Sequence, residues 1–137
     1  MCCGKGGDIP SKWKKARPSH YVGVDLSAAS VEEAQQRYKK SVVDDLQSTP
    51  FPAIFIVADC GDDKNLLSDI LLRDKSLKSI GEKITYDVVS AQFAIQCMFE
   101  SEKKLRAFLR NVSDKLVDDG VFIGTTIDSD RLVHKIR

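Results

Sequence analysis

Three features of the sequence predict an α/β fold with a mostly parallel sheet. Strand-like and helical segments alternate along the chain. The run AIFIVA at residues 53–58 is continuously apolar, the pattern of a strand buried on both faces. Glycines or acids stand where the strand-like runs end. Alternation of this kind builds a parallel sheet with right-handed crossovers, and such sheets bind ligands beyond the carboxyl ends of their strands. The residues to weigh are therefore 4–8, Asp25, Asp59, 90–93 and 125–126.

The elements follow in order. Met1, Cys2 and Cys3 read as the last residues of a strand, and Gly4-Lys5-Gly6-Gly7-Asp8 as a tight loop after it. Residues 11–16 can form a short helix. HYVGVDL (20–26) is β-rich and carries an acid near its end. Ser30 is placed as an N-cap with Glu33 completing a capping box, for a helix running to about Leu46. Pro50 and Pro52 then break the chain before the 53–58 strand, which Asp59 follows.

Residues 66–72 suit a helical turn or two, ahead of a charged connection to about Lys83. YDVVS (86–90) is the fourth strand. Leu105, Phe108, Leu109, Val112 and Leu116 recur at helical spacing, so an amphipathic helix is expected over 101–117. Asp118-Asp119-Gly120 reads as a turn into the last strand, VFIGTT (121–126).

Composition narrows the class. With 137 residues, 42% hydrophobic and 30% charged, the chain suits one modest globular domain. The formal net charge of +1 argues against a disordered acidic or basic tail. No apolar run approaches the ~20 residues that span a bilayer, and the first residues lack a secretory-signal layout. Cys2, Cys3, Cys60 and Cys97 form no C-x-x-C, and only His20 and His134 could join them at a metal, so they read as unpaired thiols with no metal site. Lys5, Lys12, Lys14, Lys15 and Arg17 crowd the first twenty residues against a single acid, Asp8, a cluster suited to a phosphate-bearing partner.

A glycine turn after the first strand lets backbone approach a ligand closely. Asp25, 18 residues beyond Gly7, is placed to bind ribose hydroxyls. The turn matches neither the P-loop nor the G-x-G-x-x-G spacing. Together with Asp25 and Asp59 at successive strand ends it points to an adenosine-containing cofactor.

The string Cys3-Gly4-Lys5-Gly6-Gly7-Asp8, with Lys12-Trp13 after it, resembles the S-adenosylmethionine motif of eukaryotic mRNA cap guanine-N7 methyltransferases. Further segments are similar in the same order. They are D-L-S-A-A-S-V from Asp25, Gln35-Gln36-Arg37-Tyr38, Ala58-Asp59-Cys60, Ser90-Ala91-Gln92-Phe93 and Phe122-Ile123-Gly124-Thr125-Thr126. The resemblance implies a Rossmann-like class I methyltransferase sheet, with residues 1–137 as part of one domain. Most of the first strand and the C-terminal antiparallel strands would lie outside it.

It also implies methyl transfer from S-adenosylmethionine to N7 of the guanine cap of mRNA (GpppN). The displacement is in-line and works by alignment, with no catalytic acid, base or metal. Cys2, Gly4, Asp8, Asp25, Asp59 and Gln92 would contact the cofactor: Asp25 the ribose, Asp59 the adenine amino group, and Gln92 the border of the methionine moiety. Lys5, Lys12 and Arg37 would line the cap site, with Phe93 and Gln96 at the guanine. The family's His-Tyr pair after Q-F is Gln96-Cys97 here. The alternatives are an inactive fragment or degenerate paralogue, and a methyltransferase of another substrate. Capped RNA is the implied partner, and the nucleus the implied location, with the cytoplasm of viral members as the alternative.

Overall fold

The computed structural model describes residues 1–64 and 85–136. The helical turn expected over 66–72 lies outside them. The chain divides into two units, Met1–Cys60 and Gly61–Arg137, and each holds a two-stranded parallel sheet. The α/β class is the one expected from the sequence. No helix among the described residues is long and apolar enough to cross a membrane.

In the first unit β1 (Tyr21–Asp25) pairs in parallel with β2 (Ala53–Val57), Tyr21 opposite Ala53 and Asp25 opposite Val57. The pairing extends at both ends: Tyr21 N–H donates to the Pro52 carbonyl at 2.8 Å, and Ala58 N–H to the Asp25 carbonyl at 2.9 Å. Residues 1–3 form no strand. Cys3 N–H makes one ladder-like bond to Val24 O at 2.8 Å, but Cys2 sits at φ +51°, which turns the backbone out of extended geometry. The expected strand end is thus reduced to a single bond.

A π-helical turn (Ile9–Trp13) runs into α1 (Lys14–Ala16), beginning two residues earlier than periodicity suggested, with Pro10 in its first turn. Arg17 at φ +50° ends it just before Pro18. α2 spans Ala28–Tyr38 and continues as a π turn, Lys39–Val43. Its N-cap is Ser27, whose Oγ accepts from Ser30 N–H at 3.3 Å, so Ser30 lies inside the helix and the expected capping box does not form. The helical stretch stops short of Leu46, which is fully exposed. Val31, Ala34 and Val42 recur on one face and are buried.

Ile9, Ala34, Val42 and Phe51 make the core of this unit, with Cys3, Trp13, Tyr21, Tyr38 and Phe55 against it. The aromatic rings meet at tilted or edge-on angles, 5.4 Å between centroids for Tyr38 and Phe51 and 5.7 Å for Tyr21 and Phe55. Tyr38 also donates its hydroxyl to the Phe51 carbonyl, so its polar end is satisfied inside an apolar cluster.

In the second unit β3 (Tyr86–Gln92) pairs in parallel with β4 (Leu116–Thr125). Tyr86 faces Leu116 but Val88 faces Val121, so β4 carries extra residues in a bulge. Asp118-Asp119-Gly120 lies there, with Asp119 at φ +67°. The expected turn is therefore a bulge within a strand that begins at Leu116.

α3 (Glu102–Ser113) is capped by Ser101, whose Oγ accepts from Lys104 N–H at 3.2 Å. It ends four residues before the expected limit because Tyr86 N–H captures the Lys115 carbonyl at 2.7 Å and draws Leu116 into the sheet. Phe108 and Val112 are buried as expected, Leu109 is 43% exposed, and Ala107 and Asn111 are buried in addition. α4 (Ser129–Ile136) completes the described chain.

Phe108 has no exposed surface and stands edge-on to Phe122 at 6.1 Å. Phe108→Ala is expected to cost about 3–5 kcal/mol in urea denaturation, against about 0.5 kcal/mol or less for Leu109→Ala one position on. Equal losses at the two positions would contradict this packing.

Candidate functional site

The first group of candidates surrounds the carboxyl end of β1. Asp25 closes that strand, half-buried, and both its oxygens hold backbone: Oδ2 accepts from Gly4 N–H at 2.8 Å and Oδ1 from Ser27 N–H at 3.0 Å. One side chain thus ties the glycine loop to the residue that caps α2. A carboxylate has about four lone-pair sites, so Asp25 keeps acceptor capacity for a further donor.

The loop itself is shaped by two glycines in the left-handed region, Gly4 at φ +51° and Gly6 at +69°. Gly6 N–H donates to Cys3 O at 3.0 Å and Ile9 N–H to Gly6 O at 3.1 Å. The two differ in surroundings. A Cβ on Gly6 would lie 2.7 Å from Ile9 Cδ1 and 3.0 Å from Ala34 Cβ, whereas a Cβ on Gly4 would meet nothing within 4 Å. The loop is packed onto the core at Gly6 and faces open space at Gly4.

Lys5, Lys12 and Arg37 are each paired with a carboxylate. Glu33 joins two of them: Oε2 to Lys5 Nζ at 3.0 Å and Oε1 to Arg37 Nη2 at 3.2 Å. Asp8, expected at the cofactor, pairs through Oδ1 with Lys12 Nζ at 2.8 Å. Lys5 and Lys12 are more than 60% exposed. Exposed pairs of this kind contribute little to stability, so a polyanion can exchange for the carboxylates at low cost. Lys14 is paired with Asp45, which holds that carboxyl below its usual range.

Cys2, Cys3, Asp59 and Cys60 complete this group. No disulfide joins Cys2, Cys3, Cys60 or Cys97. Burial, helped by the nearby Asp25 charge, pushes the Cys3 thiol up to about 11. Asp59 is half-buried two residues beyond β2.

The second group follows β3. The Gln92 side chain donates through Nε2 to Ser90 Oγ at 3.1 Å and accepts through Oε1 from Thr125 Oγ1 at 3.2 Å. Phe93 comes next at φ +53° and 72% exposed, and its N–H donates to both Thr125 O and Thr125 Oγ1 at 3.0 Å. Gln96 Nε2 donates to the Phe93 carbonyl at 2.7 Å. Gln96 Oε1 is buried with no hydrogen-bond partner among the described residues.

A family model described as the mRNA (guanine-N(7))-methyltransferase domain matches residues 1–137. The chain belongs to that family. Among similar curated proteins, the "mRNA cap guanine-N(7) methyltransferase" of Schizosaccharomyces pombe is 38% identical over 137 residues, all of this chain and 33% of that protein. The protein of the same description from Caenorhabditis briggsae is 39% identical over 137 residues, all of this chain and 32% of that one. The "mRNA cap guanine-N(7) methyltransferase 1" of Oryza sativa subsp. japonica is 35% identical over 138 residues and is covered to 34%. The chain therefore spans about a third of the length of these relatives. A crystal structure of the PH0226 protein from Pyrococcus horikoshii OT3 shares the fold, with a TM-score of 0.62 and 21% identity over 98% of this chain and 47% of that one.

Within a guanine-N7 methyltransferase domain, two residues matter more here than sequence reading suggested. Glu33 was expected to cap a helix but instead gathers Lys5 and Arg37; its i,i+4 spacing to Arg37 was the available signal. Thr125 was placed only at a strand end. Its hydroxyl and carbonyl hold Phe93 N–H, and the hydroxyl also donates to Gln92, contacts that depend on the β3–β4 register.

Proposed function

We propose that residues 1–137 are part of an S-adenosylmethionine-dependent methyltransferase domain whose acceptor is N7 of the guanine cap of mRNA. The observation that carries this reading is the junction of Gly4 and Asp25 in a chain of this family. It fits the cofactor: the half-buried carboxylate retains acceptor sites at a strand end, and the backbone beside it opens on space at Gly4. Asp25 would receive the ribose hydroxyls, Asp59 the adenine amino group, with Cys2, Gly4 and Asp8 along the cofactor.

The bound cofactor supplies a sulfonium methyl already activated for displacement, and guanine N7 carries a lone pair and no proton. The chain's task is then alignment rather than acid–base chemistry. Exposed Phe93 offers a ring face to a base. Lys5, Lys12 and Arg37 would exchange their carboxylate partners for the anionic triphosphate bridge. A capped RNA substrate is most often met where transcripts are made, which supports a nuclear location.

The test is methyl transfer to GpppA, compared with GTP and small-molecule acceptors, at rising salt. Transfer to GpppA is expected to exceed the others and to weaken as salt screens the lysines. Equal transfer to all acceptors would overturn the cap assignment.

A second reading is favoured by one pair of residues. Gln96 and Cys97 replace the family's His-Tyr, and the Gln96 amide N–H is already engaged by the Phe93 carbonyl. A degenerate paralogue would bind S-adenosylhomocysteine and transfer no methyl group; a fragment without a working site would not bind it.

A further inference from the structure

The Glu33 carboxylate is shared by two of the cations assigned above to the cap phosphates. Its place follows from the packing of the glycine loop on α2. Gly6 lies so close to that helix that a Cβ on it would stand 3.0 Å from the Ala34 Cβ. The residues around Ala34 therefore border the loop. Glu33 meets Lys5, and Arg37, one turn on, extends Nη1 to 3.7 Å from where a Cβ on Gly7 would be. Each Glu33 oxygen serves a different cation, Oε2 the Lys5 ammonium at 3.0 Å and Oε1 the Arg37 guanidinium at 3.2 Å. Two positive charges thus converge on one negative group, beside a loop with no side chain at Gly6 or Gly7. A phosphate offers the same cations a similar pair of charged oxygens.

We propose that Glu33 occupies the seat of a phosphate group. Lys5 and Arg37 form an anion site, and this carboxylate is its built-in competitor, displaced when a polyphosphate binds. The role of Glu33 rests on the reading of Lys5 and Arg37 given above. One carboxylate balances only one of the two cations, so the cluster keeps a positive charge that draws an anion. All three side chains reach solvent, with 66% of Lys5, 40% of Glu33 and 39% of Arg37 exposed. The pairs are accordingly weak, and Glu33 can turn into water. Arg37 contacts Glu33 through Nη2, and a guanidinium has five N–H donors, so capacity for a larger anion remains.

A triphosphate carries several negative charges and attracts both cations more strongly than one carboxylate does. Once displaced, Glu33 remains on the same turn of α2 and repels the incoming anion. It therefore holds affinity below what the two cations alone would give. A carboxylate that merely oriented Lys5 and Arg37 would act in the opposite sense, and its loss would weaken binding.

The experiment titrates inorganic tripolyphosphate into the 137-residue chain by calorimetry at low salt. Glu33→Gln removes the charge and keeps the shape. It is expected to tighten binding about tenfold, because two exposed ion pairs no longer have to be exchanged. Glu32→Gln makes the same change in net charge at the next position of α2, where the side chain is exposed; its expected gain is about twofold or less. Arg37→Gln is expected to weaken binding in the parent and to cancel the gain of Glu33→Gln. Circular dichroism confirms that each variant is folded.

Equal gains in Glu33→Gln and Glu32→Gln would reveal a net-charge effect alone and overturn the proposal. Unchanged or weaker binding in Glu33→Gln, or no heat from it at all, overturns it too. Where Arg37→Gln still weakens binding in that case, the phosphate reading of Arg37 stands without a competing Glu33. The cap reading fails separately: tighter tripolyphosphate binding in Glu33→Gln, with equal methyl transfer to GpppA and GTP, leaves the anion site standing and overturns the cap as acceptor.

Discussion

Gly6→Ala is expected to destabilise the first unit by about 2–5 kcal/mol, enough to unfold much of it. Two costs combine. The backbone at φ +69° is a left-handed conformation that costs an L-residue about 1–2 kcal/mol. The added methyl would also stand 2.7 Å from Ile9 Cδ1 and 3.1 Å from the Ala34 Cα. Ile9 and Ala34 have no exposed surface, so neither can withdraw, and overpacking of this kind costs about 1–3 kcal/mol. A domain with about 5–15 kcal/mol of total stability loses a large share. Gly4→Ala carries the backbone cost alone, because nothing lies within 4 Å of its Cβ. Thermal unfolding followed by circular dichroism should separate the two variants clearly. A Gly6→Ala protein as stable as the parent would show that the loop is not packed as described.

Asp25→Ala is expected to abolish binding of S-adenosylhomocysteine in calorimetry. The substitution removes the acceptor for a ribose and also frees the glycine loop, since the backbone N–H groups of Gly4 and Ser27 both lose the carboxylate that accepts from them. Each orphaned N–H costs about 1–3 kcal/mol where water cannot replace the carboxylate, so part of the loss appears as stability. Asp25→Asn separates the two roles. Its one remaining carbonyl oxygen can serve Gly4 or Ser27 but not both, and binding should weaken without vanishing. Circular dichroism on the same samples tells a lost site from a lost fold. Unchanged affinity in a folded Asp25→Ala protein would remove this end of β1 from the proposed cofactor site.

The readable part of this protein is the part encoded in neighbours along the chain. Residues 53–58 announce a buried strand by continuous apolar character, and the glycine run marks a loop because left-handed turns demand residues without Cβ. Asp25 could be placed at a strand end from the β-rich run HYVGVDL that it closes. Element limits were less legible. Ser30 and Ser27 are equally good caps by residue type; the choice fell to Ser27 because its backbone N–H is held by Asp25. Leu116 fits the helical period of Phe108 and Val112, yet the Tyr86–Lys115 bond takes it into the sheet.

Charge partners were beyond local reading for the same reason. Lys5 meets Glu33 across 28 positions of sequence, a distance that only the packing of the loop against β1 and α2 closes. Residue type and spacing sufficed for the α/β class, the glycine loop and the acids at strand ends, because these follow from backbone sterics and local hydrophobic pattern. Which acid holds which amide and which lysine is neutralised are long-range matters. They are settled by burial and by hydrogen bonds between segments, whose energies no single stretch of sequence carries.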